Sequence, residues 1–161
     1  MVFALLGLRL LPISRYFGAR KPIPMQIFLL HHVALPVTDL DRSKAFYREV
    51  LGLQEIPRAP FSFPGAWFAL PDGQRIHLIV SPGQTMRAGK GIDARDGHFA
   101  LRVASYSKAL EELRGKGYTP EASDEFRRIK VDPHSVAGFP QIYLLDPDRN
   151  LIEINAEKLD L

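Results

Sequence analysis

An internal repeat constrains the fold of this chain more than any other feature of its sequence. The segment HVALPV at 32–37 matches HFALRV at 98–103, and SKAF at 43–46 matches SKAL at 107–110. Further along the chain, PDGQRIHLI at 71–79 matches PDRNLIEIN at 147–155. A duplication that keeps its element order is typical of an architecture built from two copies of one supersecondary unit. We therefore expect two equivalent modules that pack around a pseudo-two-fold axis.

Both copies show the same order of predicted elements. In the first copy an apolar, β-rich segment at 29–37 precedes a helix, whose start Asp39 can cap and whose end Gly52 marks. Two strands around a Pro-Asp-Gly turn follow. The second copy has a strand at 97–103, a helix at 105–117, a short strand in YTPEA, a loop near 123–139 and two closing strands. This order predicts an α+β fold of two tandem βαβββ modules, at about 27–81 and 97–157, that form a curved mixed sheet.

Four side chains with metal-binding chemistry occupy equivalent positions of the two copies. His32 corresponds to His98, and His77 corresponds to Glu153. If the modules pack around a pseudo-two-fold axis, all four side chains can converge on one point. Neutral imidazoles and a carboxylate suit Zn²⁺, Ni²⁺, Fe²⁺, Co²⁺ or Mn²⁺. A single histidine in a strand is more often structural, but the joint placement predicts a divalent metal ion held by His32, His77, His98 and Glu153.

Strand alternation identifies the neighbours of these four residues. Arg102 shares a face with His98, where it can hold an anionic substrate group or form a salt bridge. Asn155 shares the face of Glu153, and Tyr143 lies on the preceding strand. Arg102, Asn155 and Tyr143 are therefore the predicted substrate contacts. Alternation points His31 away from His32, which predicts a structural or surface role for His31.

These motifs resemble those of the vicinal-oxygen-chelate superfamily, which includes glyoxalase I, extradiol dioxygenases and fosfomycin-resistance proteins. LLHHVALPVTDLDRSKAFYREVLGL is similar to the superfamily's opening signature, and LLDPDRNLIEIN is similar to its closing one. The resemblance covers about residues 27–157 and implies a glyoxalase-like domain at 26–161. It implies that paired βαβββ modules surround a metal held by the same four residues. It also implies a homodimer, in which the two modules of one site come from one chain or from two.

The resemblance implies a metal-dependent lyase or isomerase of glyoxalase I type, acting on a small substrate with adjacent oxygens. The metal would stabilise an enediolate, with Glu153 as the base and His77 as a second catalytic candidate. Glyoxalase I commonly has Glu in place of His77 and a glutathione-binding Arg in place of Pro36, which argues against strict glutathione dependence. The alternatives are an Fe(II) extradiol-type dioxygenase with His32, His98 and Glu153 as ligands, and a non-catalytic small-molecule or drug-binding protein.

Composition and charge limit the partners and the compartment. The chain has no cysteine, which excludes thiolate chemistry and fits a reducing, cytoplasmic location. The formal charge is +3, but residues 1–38 hold four basic and no acidic residues, so residues 39–161 carry a net charge of −1. This part of the chain therefore offers no basic stripe for nucleic acid. Residues 1–25 are predicted to be a leader or flexible arm, and Arg9 and Pro12 interrupt its apolar run before it could span a membrane. We expect a small-molecule partner, and neither nucleic acid nor a membrane.

Overall fold

The computed structural model describes residues 26–81, 83, 85 and 87–160, and the predicted leader at 1–25 lies outside these residues. The first module contains β1 (His32–Val37), α1 (Leu40–Ala45), β2 (Glu55–Ile56), β3 (Gly65–Ala69) and β4 (Arg75–Val80). The second contains β5 (Phe99–Val103), α2 (Tyr106–Gly115), β6 (Lys130–Asp132), β7 (Gln141–Leu145) and β8 (Leu151–Ala156). A π-helical turn at Phe46–Val50 continues α1, and a 3-10 turn at Pro71–Gly73 joins β3 to β4. The predicted α+β fold of two βαβββ modules is confirmed.

Each module folds its four strands into one mixed sheet. The strand orders are β1-β4-β3-β2 and β5-β8-β7-β6. The first and last strands of each module pair in parallel, with His77 opposite Ala34 in one sheet and Glu153 opposite Ala100 in the other. These two pairings are equivalent by the sequence repeat, so the duplication seen in the sequence is reproduced residue by residue in the sheets.

The helix boundaries follow the predicted caps. The Asp39 side chain accepts a hydrogen bond of 3.0 Å from the backbone N–H of Arg42 at the start of α1, which satisfies a donor that a helix end leaves unpaired. Gly52 has a φ of +68°, the left-handed conformation that favours glycine after a helix. Ser105 caps α2 in the same way, through a 3.2 Å bond from the N–H of Lys108. Within the described residues, no helix combines the length and apolar character that crossing a membrane requires.

One predicted strand is misplaced. The segment at 118–122 contributes only an isolated bridge, between Thr119 and Arg128. The strand that completes the second sheet is β6, which lies inside the predicted loop and pairs Val131 with Ile142. A strand of three residues is too short to show the alternation by which strands are recognised in sequence.

One hydrophobic core joins the two modules. Its buried residues include Val37, Phe68, Ile76 and Leu78 from the first module and Ile142, Leu144 and Ile152 from the second. Hydrogen bonds between the modules accompany it: Tyr47 donates to Asp146 at 2.9 Å, and Ser43 and Thr38 donate to Asp148 at 2.8 and 2.6 Å. Because both acceptor carboxylates are almost fully buried, losing one of these donors would leave a buried charge short of a partner. These contacts hold the modules in one relative position.

Candidate active site

The first half of the candidate site lies on the open face of the first sheet. The rings of His32 and His77 stack, with centroids 4.2 Å apart and planes 16° apart. Trp67, which pairs with His77 across the β3–β4 ladder, covers the other side of the His77 ring at 4.4 Å. The Nε2 atom of His77 is buried and has no hydrogen-bond partner among the described residues. A buried polar atom without a partner is costly, so this nitrogen is a candidate ligand to a cation.

His77 is a neutral imidazole at physiological pH. Burial, together with the neighbouring His32 and Arg75, lowers the pKa of His77 to about 4. Only an unprotonated ring nitrogen can bind a metal ion. The environment of His77 therefore keeps its lone pair available.

The second half of the site is built around a buried carboxylate on β8. Oε2 of Glu153 lies 3.2 Å from Nε2 of His98 and accepts a hydrogen bond of 2.9 Å from Tyr143. Oε1 accepts a hydrogen bond of 2.5 Å from Asn155. Burial alone would raise the pKa of Glu153, but the hydrogen bonds from Asn155, Tyr143 and Gln141 hold it below its ordinary value. Glu153 is therefore an oriented anion.

The tautomer of His98 indicates that this pair requires a positive charge. Nδ1 of His98 lies 2.8 Å from the carbonyl oxygen of Asp96, and a carbonyl can only accept, so Nδ1 carries a hydrogen. In the neutral ring, Nε2 then turns its lone pair toward the Glu153 carboxylate, which is repulsive unless a proton or a cation lies between them. A bond from the second ring nitrogen to a backbone carbonyl also orients many metal-binding histidines. The geometry suits either a proton or a divalent ion.

The structure brings the four predicted ligands together as two pairs and not as one cluster. Within residues 26–81, 83, 85 and 87–160, no three His, Asp or Glu side chains are grouped so that they could hold a metal ion. The reason is topological, because each pair belongs to one sheet: His32 and His77 lie on β1 and β4, whereas His98 immediately precedes β5 and Glu153 lies on β8. Of the two arrangements left open by the sequence, one chain or two, the separation of the pairs favours a site shared between two chains, and the ligand set remains a prediction.

The three predicted substrate contacts differ in their surroundings. The polar groups of Tyr143 and Asn155 are directed at Glu153. Arg102 is exposed on β5, with its guanidinium 5.1 Å from the centre of the Phe139 ring. Its alternative role in a salt bridge is not seen within the described part of the chain, and a substrate contact by any of the three stays a prediction.

Two residues beside the site differ from or add to the predictions. Nδ1 of His31 lies 2.9 Å from Nδ1 of His32, so the prediction that His31 points away from His32 is wrong. The reason is that β1 begins only at His32, and strand alternation does not extend to the residue before it.

Trp67 was not predicted, although the sequence holds the signal for it. The turn at 71–73 pairs residues that are equidistant from Asp72, which places Trp67 opposite His77.

Comparison with known proteins identifies the family. The sequence profile of the Glyoxalase/Bleomycin resistance protein/Dioxygenase superfamily matches residues 29–154. The chain belongs to this superfamily. The matched range covers all but the end of the second module and contains all four predicted ligands, so the resemblance drawn from the sequence motifs is confirmed.

Individual proteins also match most of the chain. YwkD of Bacillus subtilis (strain 168) is 30% identical over 128 residues, which cover 78% of this chain and 94% of YwkD. Glyoxylase I 4 of Arabidopsis thaliana is 32% identical over 136 residues, covering 81% of this chain and 72% of that protein. The crystal structure of a mutant of FosX, a fosfomycin resistance protein of Listeria monocytogenes, superposes with a TM-score of 0.60 at 22% identity, over 84% of this chain and 95% of that chain. At that identity the likeness shows the fold alone.

Proposed function

We propose that this superfamily member is a divalent-metal-dependent lyase or isomerase of glyoxalase type, acting on a small molecule with two adjacent oxygens. The observation that carries the proposal is the occurrence of two half-sites at equivalent register, His32 with His77 and His98 with Glu153. Together they offer three imidazoles and one carboxylate, a donor set suited to Zn²⁺, Ni²⁺, Fe²⁺, Co²⁺ or Mn²⁺. In support, the FosX structure is a complex with Mn(II) and 1S,2S-dihydroxypropylphosphonic acid, whose hydroxyl groups lie on adjacent carbons.

The complete site is proposed to lie between two copies of the chain. Each half-site lies on its own sheet, so a four-ligand centre needs the first sheet of one copy to face the second sheet of another. In a two-fold symmetric dimer this contact occurs twice and yields two equivalent sites. The outer edges of β1 and β5 have no partner strand among the described residues, and such edges favour association.

The residues fit a divalent ion in three respects. His77 is neutral and its buried Nε2 has no partner in the described residues. His98 is oriented by the carbonyl of Asp96, and Glu153 is ionised. An ion bound to them would supply Lewis-acid stabilisation of negative charge on the substrate oxygens.

Glu153 is the proposed base. Hydrogen bonds from Tyr143 and Asn155 orient its carboxylate. The carboxylate would take the proton from a carbon next to a carbonyl group and return it to the neighbouring carbon. Burial lowers the pKa of His77 to about 4, which makes it a weaker base than an ordinary imidazole, and its ring is held between those of His32 and Trp67. We assign His77 to binding, with a part in proton transfer only in the alternative below.

A second candidate is an Fe(II) extradiol-type dioxygenase. The stacking of His77 between His32 and Trp67 favours it. If that stack holds His77 away from the metal, His32, His98 and Glu153 remain as the two-His-one-carboxylate set of non-haem iron oxygenases. His77 would then serve as an acid or base beside the site.

Metal analysis of the purified protein tests the proposal. After supplementation with Ni²⁺, Zn²⁺, Mn²⁺ or Fe²⁺ and removal of excess ion, the wild type should retain about one equivalent per chain. His77→Ala should lower occupancy at least about tenfold, whereas His134→Ala, in an exposed loop, should match the wild type. Wild-type occupancy below about a tenth of an equivalent would favour a metal-free binding protein.

Substrate assays separate the two enzymatic candidates. Turnover of a hemithioacetal with Ni²⁺ or Zn²⁺ would support the lyase or isomerase. Oxygen uptake with a catechol and Fe²⁺, without hemithioacetal turnover, would reverse the order of the two candidates.

A further inference from the structure

A row of aromatic rings extends from the first half-site to the protein surface. His32, His77 and Trp67 stack in succession, with centroid distances of 4.2 and 4.4 Å. Phe61 continues the row 6.1 Å from Trp67, and Phe63 stacks on Phe61 at 5.2 Å. We call these five residues the aromatic row. It crosses from β1 through β4 and β3 to the loop that precedes β3.

Two arginines lie on the aromatic row, and neither has an acidic partner among the described residues. The guanidinium of Arg58 lies 4.8 Å from the centre of the Phe61 ring and 4.9 Å from that of Phe63. Arg75 lies 5.4 Å from the centre of the Trp67 ring. Within the described part of the chain, neither forms an ion pair with a carboxylate, whereas other arginines do: Arg42, Arg48, Arg87, Arg95 and Arg149. The row thus carries positive charge that the described residues do not neutralise.

The outer rings of the row do not serve the core. Phe61 and Phe63 are 48% and 40% exposed, and neither they nor Trp67 belong to the packed core that joins the modules. An exposed aromatic surface of this kind, rimmed by charge, marks a binding site more often than a structural element. The second sheet has no equivalent, because the place of Trp67 is taken there by Tyr143, which bonds to Glu153.

We infer that the aromatic row binds a planar aromatic ring carrying an anionic group such as a carboxylate. The ring of the ligand would pack on Phe61 and against the edge of Trp67, and its anionic group would pair with Arg58 or Arg75. Aromatic faces select flat unsaturated ligands, and a guanidinium matches a carboxylate geometrically. As a statement about substrate the inference rests on the proposed function, since the row ends at His32 and His77. Binding itself requires no metal ion.

Trp67 provides a local readout, because it is the only tryptophan in the chain. The full-length protein, treated with a chelator, is titrated with 2-naphthoate by calorimetry, while the emission of Trp67 is followed. The comparison probes are 2-naphthalenemethanol, which keeps the ring without the charge, and cyclohexylacetate, which keeps the charge without the aromatic ring. We expect 2-naphthoate to bind at least about tenfold more tightly than either probe and to change the Trp67 emission.

Two substitutions separate the contributions of ring and charge. Phe61→Leu keeps an apolar side chain at an exposed position and should weaken 2-naphthoate binding about three- to tenfold. Arg58→Met should weaken it about two- to fivefold and reduce its dependence on salt. Phe126→Leu is the matched control, because Arg149 lies 4.9 Å from the Phe126 ring in the second module. Its affinity for 2-naphthoate should equal that of the wild type.

Three results would overturn the inference. The first is equal affinity for all three probes, and the second is an equal effect of Phe61→Leu and Phe126→Leu. The third is a change from dimer to monomer on Phe61→Ser in sedimentation, which would show that a second copy covers the row. Metal content, measured on the same preparations, tests the proposed function separately. Binding of naphthoate without metal uptake would contradict the proposed function and leave this inference intact. Metal uptake without binding of naphthoate would contradict this inference and leave the proposed function intact.

Discussion

Tyr143 donates a hydrogen bond of 2.9 Å to Oε2 of Glu153, from the position directly opposite it across the β7–β8 ladder. The equivalent pair in the first module is Trp67 and His77, whose rings stack 4.4 Å apart. One position in the repeat therefore holds a hydrogen bond in one module and a ring stack in the other. The two modules share their backbone register but differ in chemistry, with an oriented anion on one sheet and an aromatic row on the other.

The hydrogen bond from Tyr143 should contribute measurably to stability. Tyr143→Phe leaves the buried Glu153 carboxylate with one donor fewer, and we expect the free energy of unfolding to fall by about 1–3 kcal/mol. Urea unfolding of the metal-free protein measures the change. Tyr118→Phe serves as the control, because its ring packs near Arg127 and its hydroxyl has no partner among the described residues; we expect a change below about 0.5 kcal/mol there. Equal losses in both variants would contradict the role given to this bond.

Mixed dimers test whether two chains share one metal site. His77→Ala impairs the first half-site of its chain, and Glu153→Gln impairs the second. In a dimer with one chain of each type, both changes fall in one shared site, and the other site keeps two unchanged half-sites. We expect such dimers, co-expressed and purified through two different tags, to bind about half the metal of wild-type dimers. Dimers of either variant alone should bind little. If the mixed dimers bind no more than these, the site is not shared between chains in this way.

Asp146 should make stability fall between weakly acidic and neutral pH. Burial raises the pKa of Asp146 from its ordinary value of 3.8 to about 6. Hydrogen bonds from Asn150, Tyr47 and Asp148 lower this pKa, but burial has the larger effect. Between these values the native state holds more protons than the unfolded state, so the contribution of Asp146 is fully present below pH 3.8 and is lost as pH rises through 6. The difference corresponds to about 3 kcal/mol.

Unfolding free energies of wild type and Asp146→Asn between pH 4 and 7 measure this contribution. Asparagine does not titrate, so the difference between the two proteins should shift by about 2 kcal/mol over that interval, the remainder lying below pH 4. The other titrating groups are common to both proteins and cancel in the comparison. A difference that stays constant with pH would show that Asp146 titrates alike in the native and unfolded states.

Gly65 should not tolerate a side chain. A Cβ at this position would run into the carbonyl oxygen of Leu78 on the neighbouring strand β4. We expect Gly65→Ala to destabilise the protein by about 1–3 kcal/mol, because the backbone must shift. Gly115→Ala, at the end of α2 where nothing lies within 4 Å of the added carbon, should stabilise by about 0.5–1 kcal/mol. Thermal unfolding should therefore move the two melting temperatures in opposite directions, and a parallel shift would contradict the steric argument.

The equivalence of His77 and Glu153 shows how much could be read from the sequence. Each residue follows a Pro-Asp turn at the same spacing, and a tight turn sets the register of the strands that it joins. The structure confirms that both residues face the strand that begins their module, opposite Ala34 and Ala100. Helix caps at Asp39 and the predicted end at Gly52 were recognisable for the same reason, since they depend on neighbours a few residues away.

Three features could not be predicted, because the residues that form them show no helical or strand periodicity. Phe61 and Phe63 lie in a proline-containing loop, and nothing in its pattern placed them beside Trp67. The strand β6 was too short to recognise, and His31 lies just outside the strand whose alternation was applied to it. In each case strand alternation, the local pattern used for prediction, does not reach the residues concerned.

The sequence by itself determined two βαβββ modules and a pair of candidate metal ligands at equivalent register in each, because turns, caps and strand alternation are local. Only the tertiary structure decided that the two pairs stay on separate sheets of one chain. That arrangement depends on how the modules pack, through a shared apolar core and the buried bond between Tyr47 and Asp146. These long-range contacts leave no periodic trace along the chain.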